Sequence, residues 1–152
     1  MVKKSACIFI SGSGTNLRSI IKNSRDYNFP INVNLVISNK KNATGICFAK
    51  KFSIPYLILD IKNKKFEKMA IKELTNRNIK LVCLAGFMSI LSKNFIRNFK
   101  GKIINIHPSL LPKYKGLNTY NRVLSAKEKL TGCTVHFVDE KLDNGRIIIK
   151  KR

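Results

Sequence analysis

Three residues of the chain have types and spacing that could perform chemistry together. His107 directly follows a short apolar run of strand length, and Asn105 precedes it by two positions. Because side chains alternate between the two faces of a strand, Asn105 and His107 are expected to share a face at the strand end. Asp143 joins them if the last part of the chain folds back as a hairpin. The sequence therefore predicts a cluster of an amide, an imidazole and a carboxylate.

Such a cluster favours acyl transfer. A carboxylate beside an imidazole stabilises the charged ring, which keeps a proton available near neutral pH. The charged ring and the Asn105 amide can both donate hydrogen bonds to an oxygen that becomes negative during addition to a carbonyl. The substrate itself would supply the attacking amine. A Ser–His–Asp hydrolase that uses Ser109 is disfavoured, because Ser109 lies only two residues from His107 and the chain has no G-x-S-x-G turn.

The elements that must position these residues follow from the apolar pattern. Five near-continuous apolar runs predict strands that are buried on both faces. They cover residues 6–10, 33–37, 56–59, 81–85 and 103–106. Segments with helical spacing connect them, at residues 17–22, 44–52, 66–77 and 92–99, the last with Ser92 as its N-cap. Alternating strands and helices predict a parallel sheet with right-handed crossovers.

The end of the chain has a different pattern. Residues 134–138 and 146–150 form two β-rich runs with no room for a helix between them, and Asn144-Gly145 is a hairpin signal. No repeat or linker divides the chain. The predicted fold class is therefore a single α/β domain over residues 1–152, in which a mostly parallel, Rossmann-like sheet carries helices on both faces and ends in an antiparallel hairpin.

Two further stretches are expected at the carboxyl ends of the strands, where such sheets bind ligands. In SGSGTN, Gly12 and Gly14 allow a tight turn, and the helix that follows would present outward-facing amides to a phosphate. Those amides belong to Gly14, Thr15 and Asn16. The stretch is neither a Walker loop nor a dinucleotide motif, since no Lys-Ser/Thr follows and Leu17 occupies the place of a third glycine. A plain turn and helix cap is the alternative.

The second stretch is AGFMSIL, which remains apolar after the fourth predicted strand. Met88, Ser89, Ile90 and Leu91 lie at its end. It would serve either as core packing under the next helix or as an apolar wall for a flat aromatic ligand, to which methionine adapts well.

Composition limits the partners. The 152 residues carry a net charge of +22, with 30 Lys+Arg against 8 Asp+Glu. This charge suits a polyanion, but a compositional bias toward lysine explains it equally well, and no basic stretch is interleaved with aromatics as in nucleic-acid binding platforms. The four cysteines have no metal-ligand spacing, so no metal is expected. Reduced thiols and an N-terminal apolar run only as long as a strand favour a cytoplasmic location without a membrane segment.

Four ordered motifs together resemble the folate-dependent glycinamide ribonucleotide formyltransferases. They are Gly12–Leu17, Leu84–Met88, Asn105–Pro112 and Leu142–Gly145. The resemblance implies transfer of a formyl group from 10-formyltetrahydrofolate to the amine of glycinamide ribonucleotide, a step of de novo purine synthesis. It implies three groups of site residues: Asn105, His107 and Asp143 for catalysis, Gly14, Thr15 and Asn16 for the substrate phosphate, and Met88, Ser89, Ile90 and Leu91 with Asn105 for the folate.

The chain departs from the family pattern in three places. Ser89 stands where the family has an arginine, residues 116–120 read GLNTY in place of GLHTH, and the family continues for several tens of residues beyond the position of Arg152. The last departure predicts a domain without the C-terminal extension, with an exposed final strand available for self-association.

Two classes of alternative function remain open. One is another folate-dependent enzyme, such as a methionyl-tRNA formyltransferase or a formyltetrahydrofolate hydrolase. The other is a truncated, non-catalytic module that binds folate or a nucleotide.

Overall fold

The computed structural model describes residues 2–152. The strands are β1 (Lys4–Ile10), β2 (Ile31–Ser38), β3 (Tyr56–Ile58), β4 (Leu81–Leu84), β5 (Lys102–His107), β6 (Cys133–Phe137) and β7 (Ile147–Lys151). The helices are α1 (Thr15–Ser24), α2 (Ile46–Lys51), α3 (Phe66–Asn76), α4 (Lys93–Asn98) and α5 (Thr119–Ser125). One sheet has the order β3-β2-β1-β4-β5-β6-β7. Its first five strands in this order run parallel, and β6 and β7 are antiparallel to their neighbours.

The predicted fold class is confirmed. All five predicted parallel strands form, as do the four predicted helices. Ser92 caps α4 as expected, because its hydroxyl accepts a hydrogen bond from the Phe95 amide at 3.0 Å. The short helix α5 was not predicted, since its seven residues are too few to establish a helical period.

The sheet is covered on both faces, which explains the apolar runs. Along β1, Phe9 belongs to one buried cluster with Leu74 of α3, whereas Ile8 belongs to another cluster with Leu17 and Ile21 of α1. Neighbouring residues of a strand point to opposite faces, so a strand that is apolar at every position needs helices on both sides. The most buried strand, β1, carries the glycine-rich turn at its end.

The predicted hairpin forms with a longer connection than a two-residue turn. β6 ends at Phe137 and β7 begins at Ile147, so Asn144-Gly145 lies near the end of the connection and is not the centre of a tight turn. The physical reason is that the connection leaves the sheet to carry Asp143, whose φ of 46° is left-handed.

One turn requires glycine for steric reasons. Gly14 has a φ of 72°, and a Cβ on it would lie 2.7 Å from the Cα of Gly45. The amide of Gly45 donates to the carbonyl of Gly12 at 2.9 Å, which fixes the two segments together. Gly12 itself has open space around it, so only Gly14 of the predicted pair needs to be glycine for the turn.

The outer strand β7 is exposed on all five residues. Its apolar side chains Ile147, Ile148 and Ile149 are 41%, 49% and 56% exposed. Lys150 and Lys151 follow them, and charged side chains on an edge strand discourage uncontrolled pairing.

The cysteine thiols are free. Burial raises the pKa of Cys83 to about 12 and raises that of Cys7 as well, so both behave as small apolar residues. Among residues 2–152, no helix has the length and apolar character needed to cross a membrane.

Candidate active site

The site is built at the end of β5, between the last parallel strand and the antiparallel hairpin. Asn105 and His107 lie on β5, where Asn105 pairs with His136 of β6 and His107 with Thr134. Asp143 reaches the same place from the connection between β6 and β7. The structure therefore brings together the three residues that the sequence predicted as a cluster.

Asp143 is the centre of this cluster. Its Oδ2 accepts a hydrogen bond from the Gly116 amide at 2.8 Å and lies 3.4 Å from His107 Nδ1. Its Oδ1 lies 3.5 Å from Asn105 Nδ2 and 3.6 Å from His136 Nε2. Burial tends to raise the pKa of this carboxyl, but His136, the Gly116 amide and His107 outweigh burial and hold it below its usual range. The carboxylate is thus charged near neutral pH.

The ring of His107 is held at both nitrogens. Nε2 lies 2.8 Å from the carbonyl oxygen of Tyr114, an oxygen that can only accept, so Nε2 carries a proton. Nδ1 faces the carboxylate of Asp143, and in the charged form the ring donates in both directions. The side chains of His107 and Asp143 are only 5% and 7% exposed, so their interaction is weakly screened by solvent.

His136 is the site residue that the sequence analysis missed. Its Nε2 lies 3.2 Å from Asn105 Nδ2, and its Nδ1 lies 2.8 Å from the carbonyl oxygen of Phe137. Burial lowers the pKa of His136, but Asp143 and the Phe137 carbonyl outweigh burial and raise it above the ordinary value. A signal was available, because period-2 alternation places His136 on the same face as Thr134 within a β-rich run.

The glycine-rich turn leads into α1 with uncapped amides. Gly14 occupies the N-cap without a side-chain hydrogen bond, and the first turn of α1 contains no acidic residue. Thr15 and Asn16 are exposed. The first amides of this helix therefore have no side-chain cap and can donate hydrogen bonds to an anion. The phosphate site at Gly14, Thr15 and Asn16 stays a prediction.

The apolar segment after β4 divides into exposed and buried parts. Met88 and Ile90 are 60% and 74% exposed, whereas Leu91 packs into the core with Phe95. An exposed apolar pair beside the carboxyl end of β4 supplies a surface for a flat ring.

A hydrogen-bond chain connects this segment to the ends of β1 and β2. The Ser11 hydroxyl donates to Asn39 Oδ1 at 2.6 Å and accepts from the Met88 amide at 2.7 Å. Asn39 Nδ2 donates to the Ser89 hydroxyl at 2.8 Å, and that hydroxyl donates to the Met88 carbonyl at 2.8 Å. The predicted phosphate turn and the predicted folate segment are thus fixed relative to each other.

The stretch GLNTY supports the same site from the other side. Gly116 has a φ of 81° and supplies the amide that binds Asp143, and Asn118 is the N-cap of α5. Within residues 2–152, no group of three His, Cys, Asp or Glu side chains is arranged to hold a metal ion.

Known proteins resemble this chain over nearly its whole length. Residues 4–152 match the family described as formyl transferase. Over 153 residues the chain is 42% identical to the phosphoribosylglycinamide formyltransferase of Haemophilus influenzae, covering 98% of this chain and 72% of that protein. It is 45% identical over 155 residues to the trifunctional purine biosynthetic protein adenosine-3 of Drosophila melanogaster, covering 97% of this chain and 11% of that protein.

Solved structures extend the comparison to the fold. Glycinamide ribonucleotide transformylase 1 from Symbiobacterium toebii superposes with a TM-score of 0.92 at 35% identity, covering 98% of this chain and 72% of that one. The chain spans between 11% and 15% of the length of the trifunctional proteins that it matches. From the match over residues 4–152 and from these relatives, the chain belongs to the formyl transferase family.

Proposed function

We propose that the chain transfers a formyl group from 10-formyltetrahydrofolate to the amine of glycinamide ribonucleotide, in de novo purine synthesis. The observation that carries the proposal is the cluster of Asn105 with the buried side chains of His107 and Asp143, in a chain of the formyl transferase family. The named relatives favour this reaction over methionyl-tRNA formylation, formyl-folate hydrolysis or a non-catalytic module.

The chemistry follows from the groups in the cluster. The amine nitrogen attacks the formyl carbon, a carbon–nitrogen bond forms, and the formyl oxygen becomes negative. His107 and Asn105 stabilise that oxygen by hydrogen bonding, and Asp143 stabilises the charged ring of His107. The bond between the formyl carbon and the folate nitrogen then breaks, and the proton lost by the amine ends on that nitrogen, with His107 and Asp143 helping its transfer.

Before substrate binds, the hydrogen-bond donors of His107 and Asn105 already face acceptors of the protein itself. His107 Nε2 donates to the Tyr114 carbonyl, and Asn105 Nδ2 faces His136 and Asp143. We expect the substrates to exchange at least one of these contacts, since catalytic hydrogen bonds commonly form only in the substrate complex.

The two substrates would occupy the two sides of the cluster. We assign the ribonucleotide phosphate to the amides of Gly14, Thr15 and Asn16, which are free of side-chain caps. We assign the folate ring to the segment from Met88 to Leu91, with Asn105 at its reactive end. The Ser89 hydroxyl bonds with Asn39 and with the Met88 carbonyl, so it stabilises the segment itself. It does not offer the folate the long, charged side chain of the arginine that the family has at this position.

Four broader assignments are also proposals. Residues 1–152 would act as one catalytic domain, its partners would be small molecules and not nucleic acid or membrane, and its location would be the cytoplasm, consistent with free buried thiols. The exposed edge of β7 would permit self-association. Sedimentation of the chain across a concentration series tests this last point, and a constant sedimentation coefficient would contradict it.

The function is tested by offering three acceptors with 10-formyltetrahydrofolate: glycinamide ribonucleotide, methionyl-tRNA and water alone. We expect formyl transfer to glycinamide ribonucleotide only, and a loss of about 10²–10⁴-fold in the His107→Ala variant. Circular dichroism of both proteins controls for folding. Transfer to methionyl-tRNA, or hydrolysis without an acceptor amine, would replace the proposed function by one of its alternatives.

A further inference from the structure

The Asn105 side chain turns its oxygen, and not its amino group, toward accessible space, although binding an oxyanion requires the amino group. Both of its hydrogen bonds are made by Nδ2, which faces His136 Nε2 at 3.2 Å and Asp143 Oδ1 at 3.5 Å. Within the described part of the chain we find no donor to Asn105 Oδ1, and this oxygen is not a buried atom without a partner, so it faces accessible space. A developing oxyanion in that space would meet an acceptor and not a donor.

The protonation of the His136 ring determines whether the amino group or the oxygen of Asn105 faces its Nε2. Its Nδ1 lies 2.8 Å from the Phe137 carbonyl, so Nδ1 carries a proton. In the neutral ring, Nε2 is then an acceptor, which suits the Asn105 amino group opposite it. The ring is 1% exposed and paired across the strands with Asn105, so it is fixed by packing.

Protonation of the ring reverses this preference. A charged ring carries a proton on Nε2 also, and a donor would then face the Asn105 amino group. Rotation of the carboxamide by about half a turn removes the conflict with the ring, because Oδ1 then accepts from Nε2 and Nδ2 points into the space that Oδ1 occupied. The rotation also replaces the contact of Nδ2 with Asp143 Oδ1 by a contact between two oxygens, both of which can accept from the Nε2 proton. Asp143 Oδ1, 3.6 Å from Nε2, stabilises the added charge.

We propose that His136 is a positioning residue that orients the Asn105 carboxamide, so that only the charged ring presents the Asn105 amino group to the formyl oxygen. The proposal rests on the proposed function, since it assigns the reason for the orientation to oxyanion binding. The pH dependence of kcat would then come partly from His136, the hydrogen-bonding partner of Asn105, and not from His107 alone.

The charged and titratable groups around His136 come from β5 and from the connection between β6 and β7. His107 lies on β5 and is linked to His136 through Asp143, which lies on the connection with Asp139. On β7 the residue opposite His136 is the apolar Ile147. The two carboxylates favour the charged ring, and burial opposes it.

The first test compares kcat of formyl transfer for the wild type and the His136→Gln variant across pH. Glutamine offers an acceptor and a donor but does not ionise. The effect of the substrate amine on kcat is shared by both proteins and cancels in their ratio. We expect the ratio of variant to wild-type kcat to rise above the pKa of His136 and then to level off, at no more than the roughly 10²–10³-fold that loss of one oxyanion donor costs. A ratio that stays constant across pH, with a folded variant, would overturn the proposal.

The second test reads the orientation without turnover. The wild type is labelled with ¹⁵N and studied by NMR. At high pH, where the His136 ring accepts, we expect a scalar coupling across the hydrogen bond between Asn105 Nδ2 and His136 Nε2. This coupling should disappear when the ring is charged. The Asn105→Asp variant identifies the Asn105 amino signals. Coupling that persists with a charged ring contradicts the inference even if no variant folds. An inactive wild type with the expected coupling change would remove the proposed function and leave the orientation standing.

Discussion

Removal of the Asp143 charge is the perturbation that follows most directly from the site geometry. Asp143→Asn keeps the size of the side chain and an oxygen that can accept from the Gly116 amide, now bound at 2.8 Å. It removes the negative charge that lies 3.4 Å from His107 Nδ1. The substitution therefore isolates the electrostatic role of the carboxylate from its role in folding.

The expected magnitude follows from the distance and the burial. Two unit charges 3.4 Å apart attract by about 5 kcal/mol at an effective dielectric constant of about 20. Part of this attraction is equal in the ground and transition states and does not affect the rate. We therefore expect kcat at neutral pH to fall by about 10²–10³-fold, each decade corresponding to about 1.4 kcal/mol.

The assay is steady-state formyl transfer to glycinamide ribonucleotide, with Asp26→Asn as the matched control. Asp26 is an exposed carboxylate that accepts a hydrogen bond from the Asn28 amide at 2.8 Å and has no contact with the site. We expect this control to retain wild-type kcat within about twofold, as is usual for surface substitutions. A folded Asp143→Asn protein with kcat within about threefold of wild type would refute the electrostatic role.

Three further outcomes are expected. Gly14→Ala should lower the free energy of unfolding by about 1–3 kcal/mol because of the left-handed φ at this position, and the contact of the new Cβ with Gly45 should lower it further. Urea unfolding measures the change, and an unchanged free energy of unfolding would contradict the steric account of the turn. Because the folded pKa of Asp143 is lowered, its stabilising contribution is present above about pH 4 and is lost as pH falls through the folded value. The difference in unfolding free energy between wild type and Asp143→Asn should therefore shrink on acidification, and a constant difference would contradict the assignment. Asn39→Ala should raise KM for the folate by about tenfold, because it removes the link between the Ser11 and Ser89 hydroxyls. Ser89→Ala removes the bonds to Asn39 and to the Met88 carbonyl but leaves Ser11 bonded to Asn39 and to the Met88 amide, so its effect should be smaller. Equal or absent effects would contradict the positioning role of Asn39.

Much of the fold is encoded locally and was predicted from the sequence. An apolar run such as that of β1 at residues 6–10 requires cover on both faces, and helical periods between such runs supply it. The pairing of Asn105 with His107 on one face followed from strand alternation. The approach of Asp143 followed from the two β runs that flank it, although its connection proved longer than a tight turn.

The parts that were missed depend on contacts between distant segments. His136 belongs to the site because it lies opposite Asn105 on the antiparallel strand β6. The sequence of β5 or of β6 alone does not determine the register of this pairing. The bond between His107 and the Tyr114 carbonyl depends on a loop in which Tyr114 has a φ of 56°, a conformation that few sequence signals predict for tyrosine. Helix α5 is short, and its N-cap residue Asn118 makes no side-chain capping hydrogen bond.

The central claim is tested most directly by following the formyl carbon itself. 10-formyltetrahydrofolate labelled with ¹³C at the formyl group is mixed with the chain and glycinamide ribonucleotide, and the carbon signal is recorded over time. The account predicts that the signal moves to the formamide of the product with the wild type, and that with His107→Ala it moves about 10²–10⁴-fold more slowly. A wild-type chain that is folded, binds both substrates and leaves the label on the folate would contradict the account, as would equal transfer by the His107→Ala variant.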